Sequence, residues 1–88
     1  MKKLIIIGSS GFVGKSLNDY FKNKENIKII NYSRTEKKNI IRIKKLPISD
    51  YIIYCINNQN IKLSLKYFYH FKKLLKKFSK KVKIVFFS

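Results

Sequence analysis

Cysteine, histidine, proline and methionine each occur once in these 88 residues, glycine three times and tryptophan not at all. A single cysteine, Cys55, excludes an internal disulfide and any cysteine-based zinc site within the chain. A single histidine, His70, removes most other metal constellations, so no metal site is expected. Acids are nearly as scarce, 4 against 21 Lys and Arg, for a formal net charge of +17. Long apolar runs are missing too. Leu4–Ile7 is too short for a membrane span or a signal-peptide core, and Lys or Asn interrupts every other stretch. These absences predict a soluble protein of a reducing cytoplasm, with no membrane partner.

The charge alone suggests nucleic acid or an anionic surface as partner. Its make-up points elsewhere. Only Arg34 and Arg42 are arginine; the other 19 basic residues are Lys, and with 15 Ile, 8 Asn, 7 Phe and 6 Tyr they account for 55 of the 88 residues. All five amino acids have AT-rich codons, so genome composition explains the lysines and no specific nucleic-acid partner is expected. With 45% hydrophobic and 15% aromatic residues the chain has enough apolar surface for a core. Its length allows one small domain, residues 1–88, that hides about 60–65% of its unfolded surface.

Periods of two and of 3.6 residues alternate along the chain. Leu4–Ile7 is an aliphatic run ended by Gly8, which fits a strand buried on both faces. The spacing of Phe12, Val13, Leu17, Tyr20 and Phe21 predicts a helix over 12–24. Ile27–Tyr32 reads as a second strand, Ile40–Ile43 as a short third and Tyr51–Ile56 as a fourth. A long helix over 61–80 follows, with Leu65, Phe68, Phe71, Leu75 and Phe78 as its stripe and Leu74 widening it; Val82–Phe87 is the last strand. Such alternation is the signature of an α/β fold with a parallel sheet and crossover helices. Only Lys44–Asp50 separates the third and fourth candidate strands, too short for a crossover helix. Either a tight turn around Pro47 replaces that helix, or Ile40–Ile43 is not a sheet strand.

All three glycines lie in Gly8-Ser9-Ser10-Gly11-Phe12-Val13-Gly14, between the first strand and the first helix. Chance gives three glycines this spacing in about 1 of 1,300 arrangements. Gly8 suits a tight turn off the strand, Gly11 a backbone approached by a pyrophosphate, and Gly14 close packing of the helix. Written GSSGFVG after a strand, the loop resembles that of the extended short-chain dehydrogenase/reductases, which include the NAD-dependent epimerase/dehydratases of nucleotide sugars. Asp50–Asn57 (DYIIYCIN) is similar to that family's fourth strand, and Val82–Ser88 (VKIVFFS) to its fifth. The resemblance implies a partial Rossmann-like sheet of order 3-2-1-4-5, with the sixth strand and substrate region absent. It implies a dinucleotide held by Gly8, Ser10, Gly11, Phe12, Val13 and Gly14 at the pyrophosphate, by Ser33 and Arg34 near the adenosine ribose, and by Ile56 and Asn57 beside the cofactor.

The departures from the family are specific. No Asp or Glu ends the second strand to hold the ribose 2′-OH of NAD; Ser33 and Arg34, with Lys37 and Lys38 nearby, suit the 2′-phosphate of NADP, which is favoured over NAD. The family's catalytic Tyr-x-x-x-Lys lies beyond the fifth strand, whereas this chain stops at Ser88. Tyr20/Lys24 and Tyr69/Lys73 have the spacing but lie upstream on helices, and about 1.3 such pairs are expected by chance. The expectation is a nucleotide-binding N-terminal part with no catalytic residues, inactive alone. Cys55 is expected to be a buried hydrophobe, His70 to face solvent, and strand 82–87 to promote self-association as a bare edge, with Phe86 and Phe87 on opposite faces. The rival from another class is a lysine-rich protein binding nucleic acid or anionic surfaces on a Rossmann-like scaffold. Its sign would be DNA affinity that falls steeply with salt.

Overall fold

A computed structural model describes residues 2–9, 11–33, 39–56, 60–78 and 81–86. Four strands, β1 (Lys2–Ile7), β2 (Ile27–Tyr32), β3 (Tyr51–Tyr54) and β4 (Lys83–Phe86), pair in parallel in the order β2-β1-β3-β4. Two helices, α1 (Phe12–Phe21) and α2 (Ile61–Leu75), connect them. The chain passes from β1 through α1 to β2 on one side, then returns across β1 to β3 and onward through α2 to β4. Because the two excursions run in opposite directions, crossovers of one hand place the helices on opposite faces of the sheet.

The strand sequences meet this demand with side chains that are apolar on both faces. Ile5, Ile7, Ile52 and Tyr54 turn to one face, where Tyr67, Phe71 and Leu74 of α2 pack on them. Leu4, Ile6, Ile53 and Cys55 turn to the other, against Leu17 and Phe21 of α1. Tyr54 and Phe71 stack with ring centroids 4.7 Å apart, and Phe68 and Phe86 close around them at 5.8 and 5.9 Å from Tyr54.

The expected third strand does not form. Ile40–Arg42 is a single 3-10 turn, so the sheet has four strands and not the five-strand order 3-2-1-4-5. A strand would send alternate isoleucines to opposite sides. Here Ile40, Ile41 and Ile43 all pack against the α2-side core, and the Asn39 side chain caps the turn by accepting the Ile41 N–H at 2.9 Å. Leu46, also buried, continues that contact, and the connection reaches β3 without a helix.

Both helices are shorter than their periodicity predicts, ending at Phe21 and Leu75. Their stripes also differ from expectation. In α1, Phe12 (90% exposed) and Tyr20 (62%) face solvent, leaving Leu17 and Phe21 to pack. In α2, Tyr67 is buried while Leu65 is exposed, so the packed face is turned toward Tyr67, Phe71 and Leu74. His70 is half-buried, with Nε2 3.1 Å from the Ile43 carbonyl, which corrects the expectation of a solvent-facing ring. Among the described residues no helix is long and apolar enough to cross a membrane.

Candidate functional site

In a parallel sheet the ligand cleft lies beyond the carboxyl ends of the strands, at the point where the chain changes its direction of progress across the sheet. Here that point is the end of β1, and the glycine loop occupies it. Gly8 adopts φ +97°, a conformation that a side chain disfavours, and a Cβ there would lie 2.9 Å from the Cys55 carbonyl carbon and 3.0 Å from Ile56 N. The loop is thus wedged against the end of β3. On its other side it is tied to β2, because the N–H groups of Gly8 and Ser9 both donate to the Tyr32 carbonyl, at 2.8 and 3.1 Å. Gly11 N–H donates back to the Gly8 carbonyl at 3.1 Å and closes the turn.

Gly14 is buried in the first turn of α1. A Cβ there would collide with the Gly8 carbonyl oxygen and lie 2.8 Å from the Gly8 carbonyl carbon and Ser9 Cα. Its close neighbour is therefore the loop itself, packed under the helix start. Gly11 differs from both. Its φ and ψ of −77° and 171° are open to any residue, and among the described residues a Cβ would meet nothing nearer than the Gly8 carbonyl oxygen at 3.5 Å, an ordinary contact. The fold requires glycine at 8 and 14 and does not require it at 11.

The start of α1 carries the complementary electrostatics. Gly11 is its N-cap, no side chain among the described residues caps the helix, and its first turn holds no acid. The backbone N–H groups of Phe12, Val13 and Gly14 point out of the helix start, at the positive end of its dipole. Exposed Lys15 follows in the next position. Phe12 and Val13 are exposed beside this edge.

The other residues singled out by sequence fall around the same edge where they are described. Ser33 follows β2 directly and is 2% exposed, with its carbonyl accepting Ile40 N–H at 3.0 Å. Ile56 follows β3 and is buried against Gly8. Ser10, Arg34 and Asn57, like Lys37, Lys38 and Phe87, lie outside the described residues. Sequence reasoning missed the part played by Tyr32 and Cys55. The Tyr32 carbonyl anchors the loop, and Cys55 backs it, its thiol donating to the carbonyls of Ile7 (3.2 Å) and Gly8 (3.7 Å). A small residue at that point in an aliphatic strand was the available signal. Burial pushes the Cys55 thiol above its ordinary pKa, so it stays protonated.

The two Tyr-x-x-x-Lys pairs stand elsewhere. Tyr20 is at the far end of α1, with Lys24 Nζ 4.7 Å above its ring, and Tyr69 is exposed on α2. Among the described residues no group of three His, Cys, Asp or Glu side chains could hold a metal ion. Comparison of this chain with family models, with curated proteins and with solved structures gives no match.

Proposed function

We propose that the carboxyl edge of this sheet binds a pyrophosphate-bridged dinucleotide, NADP ahead of NAD, in the manner of the nucleotide-binding part of an extended short-chain dehydrogenase/reductase. The observation that carries the proposal is Gly11: folding does not account for its missing side chain, and the close approach of a phosphate to the backbone does. The uncapped, acid-free start of α1 supports the same reading, since its N–H groups and dipole favour an anion. In this proposal Gly8, Gly11, Phe12, Val13 and Gly14, with Ser10, surround the pyrophosphate. Ser33 walls the ribose side and Arg34 supplies the charge that meets a 2′-phosphate. Ile56 and Asn57 flank the cofactor at the end of β3. A bound nicotinamide cofactor would supply hydride chemistry; the part assigned to this chain is to hold and orient it.

No catalytic role is proposed for Tyr20, Lys24, Tyr69 or Lys73. Exposed lysines stand on β1, β2, β4 and both helices, which favours a compositional origin over a nucleic-acid surface. Titration calorimetry against NADP and NAD tests the proposal. Saturable binding is expected, tighter for NADP, and Gly11→Val is expected to abolish it because a branched Cβ fills the space the phosphates need. Full affinity in Gly11→Val would remove the loop from the site.

A further inference from the structure

The two faces of the sheet are covered unequally. On the face that carries α1, the helix packs over β1 and β2 through Leu17 and Phe21. Over β3 and β4 the same face has no helix among the described residues. Pairing of Tyr51 with Lys83 and of Ile53 with Val85 sets these side chains in register on that half-face. Tyr51 is 38% exposed and Val85 49%. The result is an apolar groove of about 430 Å³, with Leu4, Ile53 and Val85 in its floor and Phe21 of α1 along its wall. Parallel sheets are stable with both faces covered, usually by helices. A groove floored by three strands and walled by one helix has the shape of a berth for another helix.

The charge around the groove says which kind. At the amino ends of the strands it adjoins a second hollow of about 570 Å³, lined by Lys2, Lys81 and Lys83, with Asp50 its single acid among the described residues. Lys2 and Tyr51 line both hollows. Asp50 is already engaged, accepting the Lys3 backbone N–H at 2.9 Å. A second copy of this chain, with its own +17, would set lysine against lysine. We propose that this half-face docks an amphipathic helix of a partner protein, apolar toward Ile53 and Val85 and acidic toward Lys2, Lys81 and Lys83. The site is separate from the dinucleotide edge, at the opposite end of the strands.

The test uses the ¹⁵N-labelled protein and three synthetic peptides of about 18 residues, long enough to hold a helix. The first has leucines on one helical face and glutamates on its flanks, the second replaces those glutamates by lysines, and the third scrambles the first. Saturable one-to-one binding of the first peptide is expected, with amide shifts at Leu4, Tyr51, Ile53 and Val85. Val85→Glu should weaken it at least tenfold, whereas Lys72→Glu on the α2 side should leave it unchanged. Val85 is half exposed on an edge strand, and the shift map on the unaltered chain does not depend on any variant folding. Equal binding of the scrambled or lysine peptide, or shifts confined to other faces, would overturn the proposal. So would binding of sodium dodecanoate in the groove that the acidic peptide fails to displace, which would make it a small-amphiphile cleft.

Discussion

At the scale of single residues, the three glycines divide by what each one's missing side chain makes room for. Gly8 and Gly14 are fixed by backbone contacts that leave no space for a Cβ, and Gly11 is not. Gly8→Ala and Gly14→Ala are therefore expected to destabilise the fold by about 1–3 kcal/mol or more, through strain and overpacking. Gly11→Ala should stay within about 1 kcal/mol of the parent, since reduced unfolded-state entropy offsets a poorer N-cap. Urea denaturation followed by circular dichroism distinguishes them, and equal losses at all three positions would contradict the division. Spacing alone made the loop legible, but not which glycine is left unexplained by folding; that needed the positions of Cys55, Ile56 and Ser9 in space. Tyr54 is a second case that only the packing reveals. Its hydroxyl is buried with no hydrogen-bond partner among the described residues, and burial, chiefly, pushes its pKa up to about 12. The folded state thus holds this proton over a range where the unfolded chain, near 10, releases it. Stability from this group is complete below about pH 10 and is lost as pH rises toward 12. Tyr54→Phe should be neutral or stabilising at pH 7 and should flatten the alkaline fall measured by thermal unfolding between those values. An unchanged alkaline slope would show that Tyr54 does not titrate as its burial requires.

Among the elements, the contrast is between two helix starts. Asn60 caps α2 by accepting the Leu63 N–H at 3.2 Å, whereas α1 begins at Gly11 with no side-chain cap. A start left uncapped in this way forgoes stability and keeps its N–H groups available. Gly11→Asp would supply the cap and an acid at the positive end of the dipole, with an expected gain of about 0.5 kcal/mol. It should also remove the proposed dinucleotide affinity, because the carboxylate would occupy the position proposed for the phosphate and repel it. Loss of both stability and affinity would mean that Gly11 serves the fold after all. Element type was readable wherever hydrophobic period and length agreed, as in β2, which spans the expected Ile27–Tyr32. It misled at Ile40–Ile43, where three isoleucines look β-branched and strand-like but share one core face through a turn capped by Asn39. The seven residues Lys44–Asp50 held the clue, since no crossover helix fits there. The α2 stripe was displaced for another reason: the core around Tyr54 accepts Tyr67, which lay outside the expected stripe, and leaves Leu65 outside.

For the whole molecule, an excess of positive charge opposes an edge prone to pairing. Within the described sheet β4 is an outer strand, Lys83 is its single charge, and Val85 and Phe86 are 49% and 56% exposed. Such a strand offers unpaired backbone groups to a second chain, while the net charge of +17 repels that chain. Screening should therefore promote association as the Debye length falls from about 30 Å at 0.01 M salt to about 10 Å at 0.1 M. Light scattering across that range should show growth for the parent chain and less for Phe86→Lys. A monomer at every salt concentration would mean that charge or packing already guards β4. The central claim concerns the other end of the sheet, where β1, β2 and β3 deliver the glycine loop, Ser33 and Ile56 to one edge. Titrating NADP into the ¹⁵N-labelled protein at 0.1 M salt, with residue-resolved amide shifts, tests it most directly. Saturable shifts at Gly8, Gly11, Phe12, Val13 and Gly14, extending to Ser33 and Ile56, are the predicted result. Shifts spread over the lysines of α2 and β4, with the loop unmoved, would contradict it.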